Sequence, residues 1–187
     1  MKTIVVIPAY EPDEKLVKLT AELVAKNLLV VVVDDGSGNK YLNIFEQLAG
    51  AKVLRHPKNM GKGAALKTAF KYIKETFSGN NFAVVTADSD GQHSPDDIAR
   101  VAARASLDED SLVIGVRNFD GEKVPLRSKL GNKITLKVFQ LTSGSNIGDT
   151  QTGLRGFSAA HLDKMLEISG SRYEYEMNML LEASKEY

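Results

Sequence analysis

The chain has 187 residues, 43% of them hydrophobic, which suits one domain with a single substantial core. Lysine plus arginine and aspartate plus glutamate balance at 24 each, so there is no global basic field to collect nucleic acid, and an anionic substrate has to be held by local groups. The absence of cysteine excludes disulfides and thiolate metal sites and fits a reducing compartment.

Short β-branched runs alternate with segments of helical period, the pattern of a mainly parallel sheet flanked by helices. The N-terminus has one charge and a short apolar stretch before Pro8, which reads as a first strand over 3–7 and not as a signal peptide. A helix is predicted from about Pro12, with Leu16, Leu19, Leu23 and Val24 on one face. The second strand, 28–33, is the longest purely apolar run, as befits a strand buried on both faces. It is far shorter than the roughly 20 residues that span a bilayer. Next come a helix over 41–48, a strand at Val53 and Leu54, and a helix over 61–76 with Leu66, Ala69, Phe70 and Ile73 inward. A fourth strand covers 82–86, and Ser94-Pro95-Asp96-Asp97 then reads as an N-cap, a first-turn proline and two acids at the positive end of a helix. A fifth strand, 112–115, leads into a polar loop holding Arg117 and Arg127. Beyond it the sequence predicts a helix over 128–141, a Gly/Ser/Asn stretch at 143–148, and helices over 159–168 and 174–185. No repeat or interdomain linker interrupts residues 1–187, which are expected to form one catalytic domain.

Ligands in open α/β sheets bind outside the carboxyl ends of the strands, where Asp34, Asp35, Asp88 and Asp90 fall. Asp88-Ser89-Asp90 places two carboxylates before a glycine at a strand end, and hard divalent cations are commonly held by one or two carboxylates plus substrate phosphates. A plain turn, with Asp88 capping Asp90-Gly91, accounts for the same residues. A calcium loop does not, because its glycine and glutamate positions are His93 and Ala99. Asp34-Asp35-Gly36-Ser37 offers acceptors for ribose hydroxyls or a base N–H, or else an ordinary strand-to-helix turn. At the neighbouring strand end, Tyr10 suits a nucleobase and Glu11 a ribose. Asn59 to Ala65 opens a helix with two glycines and Lys62, fit for anion contact or simply for starting the helix. It is not a Walker loop, since Gly63 follows the lysine where that motif needs Ser or Thr. No Gly-x-Gly-x-x-Gly follows the first strand, so a dinucleotide cofactor is not expected. His93 is placed either to join a metal or leaving phosphate or to pack, while His56 and His161 read as structural or exposed.

Pro8-Ala9-Tyr10-Glu11, Val33 to Ser37, Asn59 to Ala65, Asp88 to His93 and Asp149 to Phe157 appear in the order and approximate spacing of the family-2 glycosyltransferases. The sequence most closely resembles their dolichol-phosphate mannose synthase and polyprenyl-phosphate glycosyltransferase branch. The resemblance implies the GT-A fold, a UDP- or GDP-linked sugar donor, Mg²⁺ or Mn²⁺, and inversion at the anomeric carbon. It places Pro8, Tyr10, Glu11, Asp34 and Asp35 around the nucleoside, Lys62 and Gln92 toward the diphosphate, and Asp88 and Asp90 on the metal. Arg117 and Arg127 would meet acceptor or donor phosphates, with Arg155 a further positive group for the acceptor, and Asp149 occupies the position of the general base in many members. The implied acceptor is a polyprenyl phosphate at the cytoplasmic face of a membrane, in work on cell-envelope polysaccharide. Relatives continue past the 173–176 segment into another strand and often membrane helices, so C-terminal elements of a longer protein are expected to be missing. Three alternatives stay open: a saccharide hydroxyl as acceptor, a nucleotidyltransferase, and a module that binds nucleotide-sugar without transferring it. The second should carry a glycine-rich basic loop after the first strand, where this chain has Pro8 to Glu11.

Overall fold

A computed structural model describes residues 2–79, 81–107, 110–116 and 152–184. The described strands are β1 (Lys2–Ala9), β2 (Leu29–Asp34), β3 (Ala51–Arg55), β4 (Phe82–Thr86), β5 (Val113–Ile114) and β6 (Arg155–Ser158). They form one sheet in the order β3-β2-β1-β4-β6-β5. Pairing is parallel from β3 through β4 and antiparallel at β4–β6 and β6–β5. The described helices are α1 (Glu14–Ala25), α2 (Leu42–Glu46), α3 (Lys62–Thr76), α4 (Pro95–Leu107), α5 (Leu162–Glu167) and α6 (Glu174–Ser184).

Alternating strand residues feed two cores. On one face Val5, Ile7, Val30 and Val32 meet Leu16, Leu19 and Leu23 of α1, Ile44 and Phe45 of α2, and Ile98 and Val101 of α4. On the other, Ile4, Val6, Val31 and Val33 meet Leu66, Ala69, Phe70 and Ile73 of α3 together with α5 and α6. β1, β2 and β4 are buried on both sides because helices cover both faces, which is why they are apolar almost throughout. Phe157 of β6 packs edge-on against Phe70 at 5.4 Å between centroids, so the antiparallel strand is held by the same core as the parallel ones.

Helix starts follow local chemistry. α1 begins two residues after the expected Pro12, because Asp13 is the N-cap and its side chain accepts from Lys15 N. α4 starts where expected, with Ser94 Oγ accepting from Asp97 N at 3.1 Å. β6 is a strand the sequence reading does not assign; its Arg-Gly-Phe-Ser run is short and lacks β-branched residues. The expected helix over 128–141 and the stretch at 143–148 lie outside the described residues.

Sheet order reverses between β1 and β4: the chain leaves β1 toward β2 and β3, then returns to β1's other side as β4. The carboxyl ends of β1, β2 and β4 therefore converge at a topological switch point, the favoured ligand position in this architecture.

Candidate active site

A cleft of about 580 Å³ opens at the switch point. Its lining includes Pro8, Tyr10 and Asp35 together with Asp88, Asp90 and Gln92. Lys62, Glu176, Arg172 and the exposed Tyr173 also line it.

The two acids after β2 separate in role. Asp34 is 5% exposed and sits beside the cleft, outside its lining, with Oδ1 accepting from Ser37 N at 2.8 Å. Asp35 does line it, yet its carboxylate is already engaged by the protein. Oδ1 accepts from Met60 N at 2.9 Å and meets His56 Nδ1 at 2.7 Å, and Oδ2 accepts from Gly61 N at 2.8 Å. His56 is in turn held at Nε2 by Thr68 Oγ1 at 2.8 Å, so the imidazole is a structural bridge between Asp35 and α3. Asp35 thus fixes the loop before α3, and that loop crosses Gly36 so closely that a Cβ there would lie 2.2 Å from the Lys58 carbonyl carbon.

Tyr10 is half exposed over the cleft, and the neighbouring Glu11 carboxylate raises its pKa. Glu11 is exposed beyond the lining, holds a left-handed backbone at φ 50°, and donates its N–H to Ser37 Oγ at 2.9 Å. Strained backbone of this kind concentrates at functional sites.

The glycines at the start of α3 allow a close approach of the chain that leads into α6. A Cβ on Gly61 would lie 2.5 Å from Ser171 O, and one on Gly63 would lie 2.5 Å from Tyr175 Cβ. Ala64 N donates to Ser171 O at 2.8 Å, so the segment leading into α6 docks on the helix start and takes one of its donors. The close approach brings Glu176 to Lys62.

Around Asp88 the chain gathers opposite charges. Lys62 Nζ donates to Asp88 Oδ1 at 2.6 Å and pairs with Glu176 Oε2 at 2.8 Å. The buried His93 places Nε2 3.3 Å from Asp88 Oδ2. Burial pushes the Asp88 carboxyl up, but the His93 hydrogen bond and the Lys62 ammonium more than reverse this and hold it well below the usual carboxylate range. Burial likewise opposes the Lys62 ammonium, and the Glu176 and Asp88 carboxylates outweigh it, raising the lysine above its ordinary value. Asp90 is exposed, with Oδ1 accepting from Gln92 N at 3.0 Å and Oδ2 from the Gln92 amide. Room for the Asp88 carboxylate exists because residue 153 is glycine; a Cβ there would sit 2.3 Å from Oδ1.

This donor set fits a hard divalent cation completed by a ligand's phosphates. Asp88 and Asp90 present carboxylates to one cleft with Glu176 nearby, and among the described residues no three His, Asp or Glu side chains enclose a cation by themselves. Magnesium and manganese are characteristically held by one or two carboxylates with the rest from phosphate and water.

Sequence reading singled out Pro8, Tyr10, Asp35, Lys62, Asp88, Asp90 and Gln92, and the cleft brings all of them together. It missed Arg172, Tyr173 and Glu176. The available signal was Glu176 itself, an acid on the buried face of α6 beside Tyr175, Met179 and Leu180. Arg155 is 1% exposed, its Nε donating to Thr152 O at 3.1 Å and Nη1 to Glu176 O, so it ties β6 to α6 instead of facing a phosphate in the cleft. Arg117, Arg127 and Asp149 lie outside the described residues.

Comparison with known proteins matches residues 4–166 to the model of Glycosyl transferase family 2. An uncharacterized protein of Methanocaldococcus jannaschii is 33% identical over 97% of this chain and 75% of its own length. A UDP-N-acetylglucosamine–dolichyl-phosphate N-acetylglucosaminyltransferase of Methanococcus voltae is 31% identical, over 96% of this chain and 79% of that one. An undecaprenyl-phosphate 4-deoxy-4-formamido-L-arabinose transferase of an Enterobacter species is 28% identical, over 88% of this chain and 51% of that one. Among solved structures, a 4-diphosphocytidyl-2C-methyl-D-erythritol synthase superposes with a TM-score of 0.60 at 14% identity, covering 95% of this chain and 85% of the other. GalNAc-T7 with UDP, GalNAc and Mn²⁺ gives 0.55 at 14%, covering 96% and 40%. At such identities these likenesses speak to fold alone, and the expected GT-A class is borne out.

Proposed function

The chain belongs to glycosyl transferase family 2, and from that premise we propose that it transfers a sugar, with inversion, from a nucleotide-diphosphate-sugar to a polyprenyl phosphate. The observation that carries the reading is the meeting of Asp88 and Asp90 with Tyr10 and Asp35 in one cleft at the switch point. The named activities of the relatives from M. voltae and Enterobacter support a polyprenyl-type phosphate acceptor.

In this reading Tyr10 and Pro8 flank the nucleoside, and Asp35 acts chiefly by holding the 58–61 loop that shapes its pocket. Asp88 and Asp90 would hold Mg²⁺ or Mn²⁺, which supplies positive charge for the departing diphosphate. Gln92 holds the Asp90 carboxylate, and Lys62 brings a positive charge to the cleft between Asp88 and Glu176. A phosphate acceptor is already anionic near neutral pH and needs placement more than proton removal, the role assigned to Arg117 and Arg127. Asp149 then becomes dispensable for turnover. We place the reaction at the cytoplasmic face of a membrane, where such an acceptor resides.

The test supplies UDP- and GDP-linked sugars with a short-chain polyprenyl phosphate and Mn²⁺, and follows label into the organic phase. Transfer that falls by about 100-fold in Asp90→Asn supports the reading. Pyrophosphate release from a nucleoside triphosphate, or transfer to a saccharide hydroxyl that is lost in Asp149→Asn, would replace it.

A further inference from the structure

We infer that Lys62 is a movable counter-charge for Asp88, and that Glu176 is the positioning residue that receives its ammonium when a divalent cation takes the Asp88 carboxylate. The inference rests on the metal-dependent reading above. An ammonium carries three donors and no acceptor, and this one bridges Asp88 Oδ1 at 2.6 Å and Glu176 Oε2 at 2.8 Å. It therefore neutralises the same carboxylate that a cation at the end of β4 requires. A cation on either oxygen of that carboxylate would lie within a few ångströms of the ammonium, and like-charge repulsion at that range favours moving the ammonium away.

A destination is already built. Among the described residues Glu176 Oε1 is buried and has no hydrogen-bond partner, a condition buried polar atoms seldom keep without a reason. The same side chain grips Lys62 through its other oxygen, so the ammonium needs only to pivot from Asp88 onto both oxygens of Glu176. Glu176 is poorly placed to move instead. Its backbone carbonyl accepts from the buried Arg155, and the preceding Tyr175 is fully buried with its hydroxyl donating to Met165 O at 2.6 Å. Lys62, on a flexible four-carbon stem in the first turn of α3, is the mobile partner. Lys62 thus offsets part of the charge of Asp88 and Glu176, and cation affinity is set by an exchange of partners instead of by the carboxylates alone.

The experiment is a double-mutant cycle on the whole chain, with free Mn²⁺ followed by electron paramagnetic resonance in the absence of nucleotide. Lys62→Met removes the competitor and should bind Mn²⁺ about tenfold more tightly than wild type, while Glu176→Gln should bind about tenfold less tightly because the ammonium stays on Asp88. Added to Lys62→Met, the Glu176→Gln change should have no effect on affinity. No gain in Lys62→Met would overturn the inference, as would a Glu176→Gln loss of equal size in both backgrounds, which would mean that Glu176 touches the cation itself. A merely structural role for Glu176 also predicts a loss independent of Lys62. If Lys62→Met does not fold, Lys62→Gln takes its place in the cycle with the same expected values. Failure of every variant and of wild type to bind Mn²⁺, with or without UDP or GDP, would instead refute the metal-dependent reading.

Discussion

Replacing Gly153 with alanine is a one-carbon probe of how tightly the Asp88 carboxylate is placed. The added Cβ would lie 2.3 Å from Oδ1 and 2.5 Å from Oδ2, against an ordinary contact of 3.4 Å or more. Residue 153 cannot easily yield, because its carbonyl accepts from the buried Thr86 hydroxyl at 2.7 Å. The carboxylate must therefore retreat by about 1 Å, comparable to the shifts that overpacking forces elsewhere. Such a retreat breaks the 2.6 Å contact with Lys62 or the 3.3 Å contact with His93. Losing one charge-assisted hydrogen bond of this kind costs about 1.5–3 kcal/mol. Urea denaturation without ligands should show that loss with an unchanged m-value, and thermal scans with UDP or GDP should show the Mn²⁺-dependent increment disappear. A Gly153→Ala protein with wild-type stability and an intact Mn²⁺ increment would refute the placement of Asp88 against Gly153.

Asp35→Asn keeps shape but cannot satisfy two backbone N–H groups and His56 as the carboxylate does, so it should cost about 2–4 kcal/mol in denaturation midpoint and weaken nucleotide binding by loosening the 58–61 loop. Gly63→Ala drives a methyl against Tyr175 and should separate α6 from α3, lowering stability by about 1–3 kcal/mol; an unchanged melting temperature would argue against that docking. The Tyr175 phenol is raised by burial, so the folded state binds a proton that the unfolded chain releases near pH 10. Its contribution is fully present below that pH and lost as pH rises above it. Tyr175→Phe, which also gives up the bond to Met165 O, should therefore lose less stability than wild type between about pH 10 and 11.5; parallel pH profiles would contradict this.

The parallel strands were legible because β1, β2 and β4 are buried on both faces and spell it in unbroken runs of Val, Ile and Ala. β6 was not, since burying Arg155 in a strand is possible only after Thr152 and Glu176 offer it carbonyls from elsewhere in the fold. Asp34 and Asp35 announced a strand-end site but not their division of labour, which depends on which backbone N–H groups come into reach. Glycines at 61 and 63 read as anion contact or a plain helix start, and their close approach to the chain entering α6 was not legible because that chain is over a hundred residues away. Glu176 carried the weakest signal, because its partner Lys62 is far away in sequence and becomes a neighbour only when that chain docks.

The most direct measurement is a crystal grown with UDP or GDP and Mn²⁺, with anomalous scattering collected at the manganese edge. The account predicts one peak bound by Asp88 and Asp90 and bridged to the diphosphate, with the nucleoside against Tyr10. A nucleotide lodged in another part of the molecule, or a manganese peak away from both carboxylates, would contradict it.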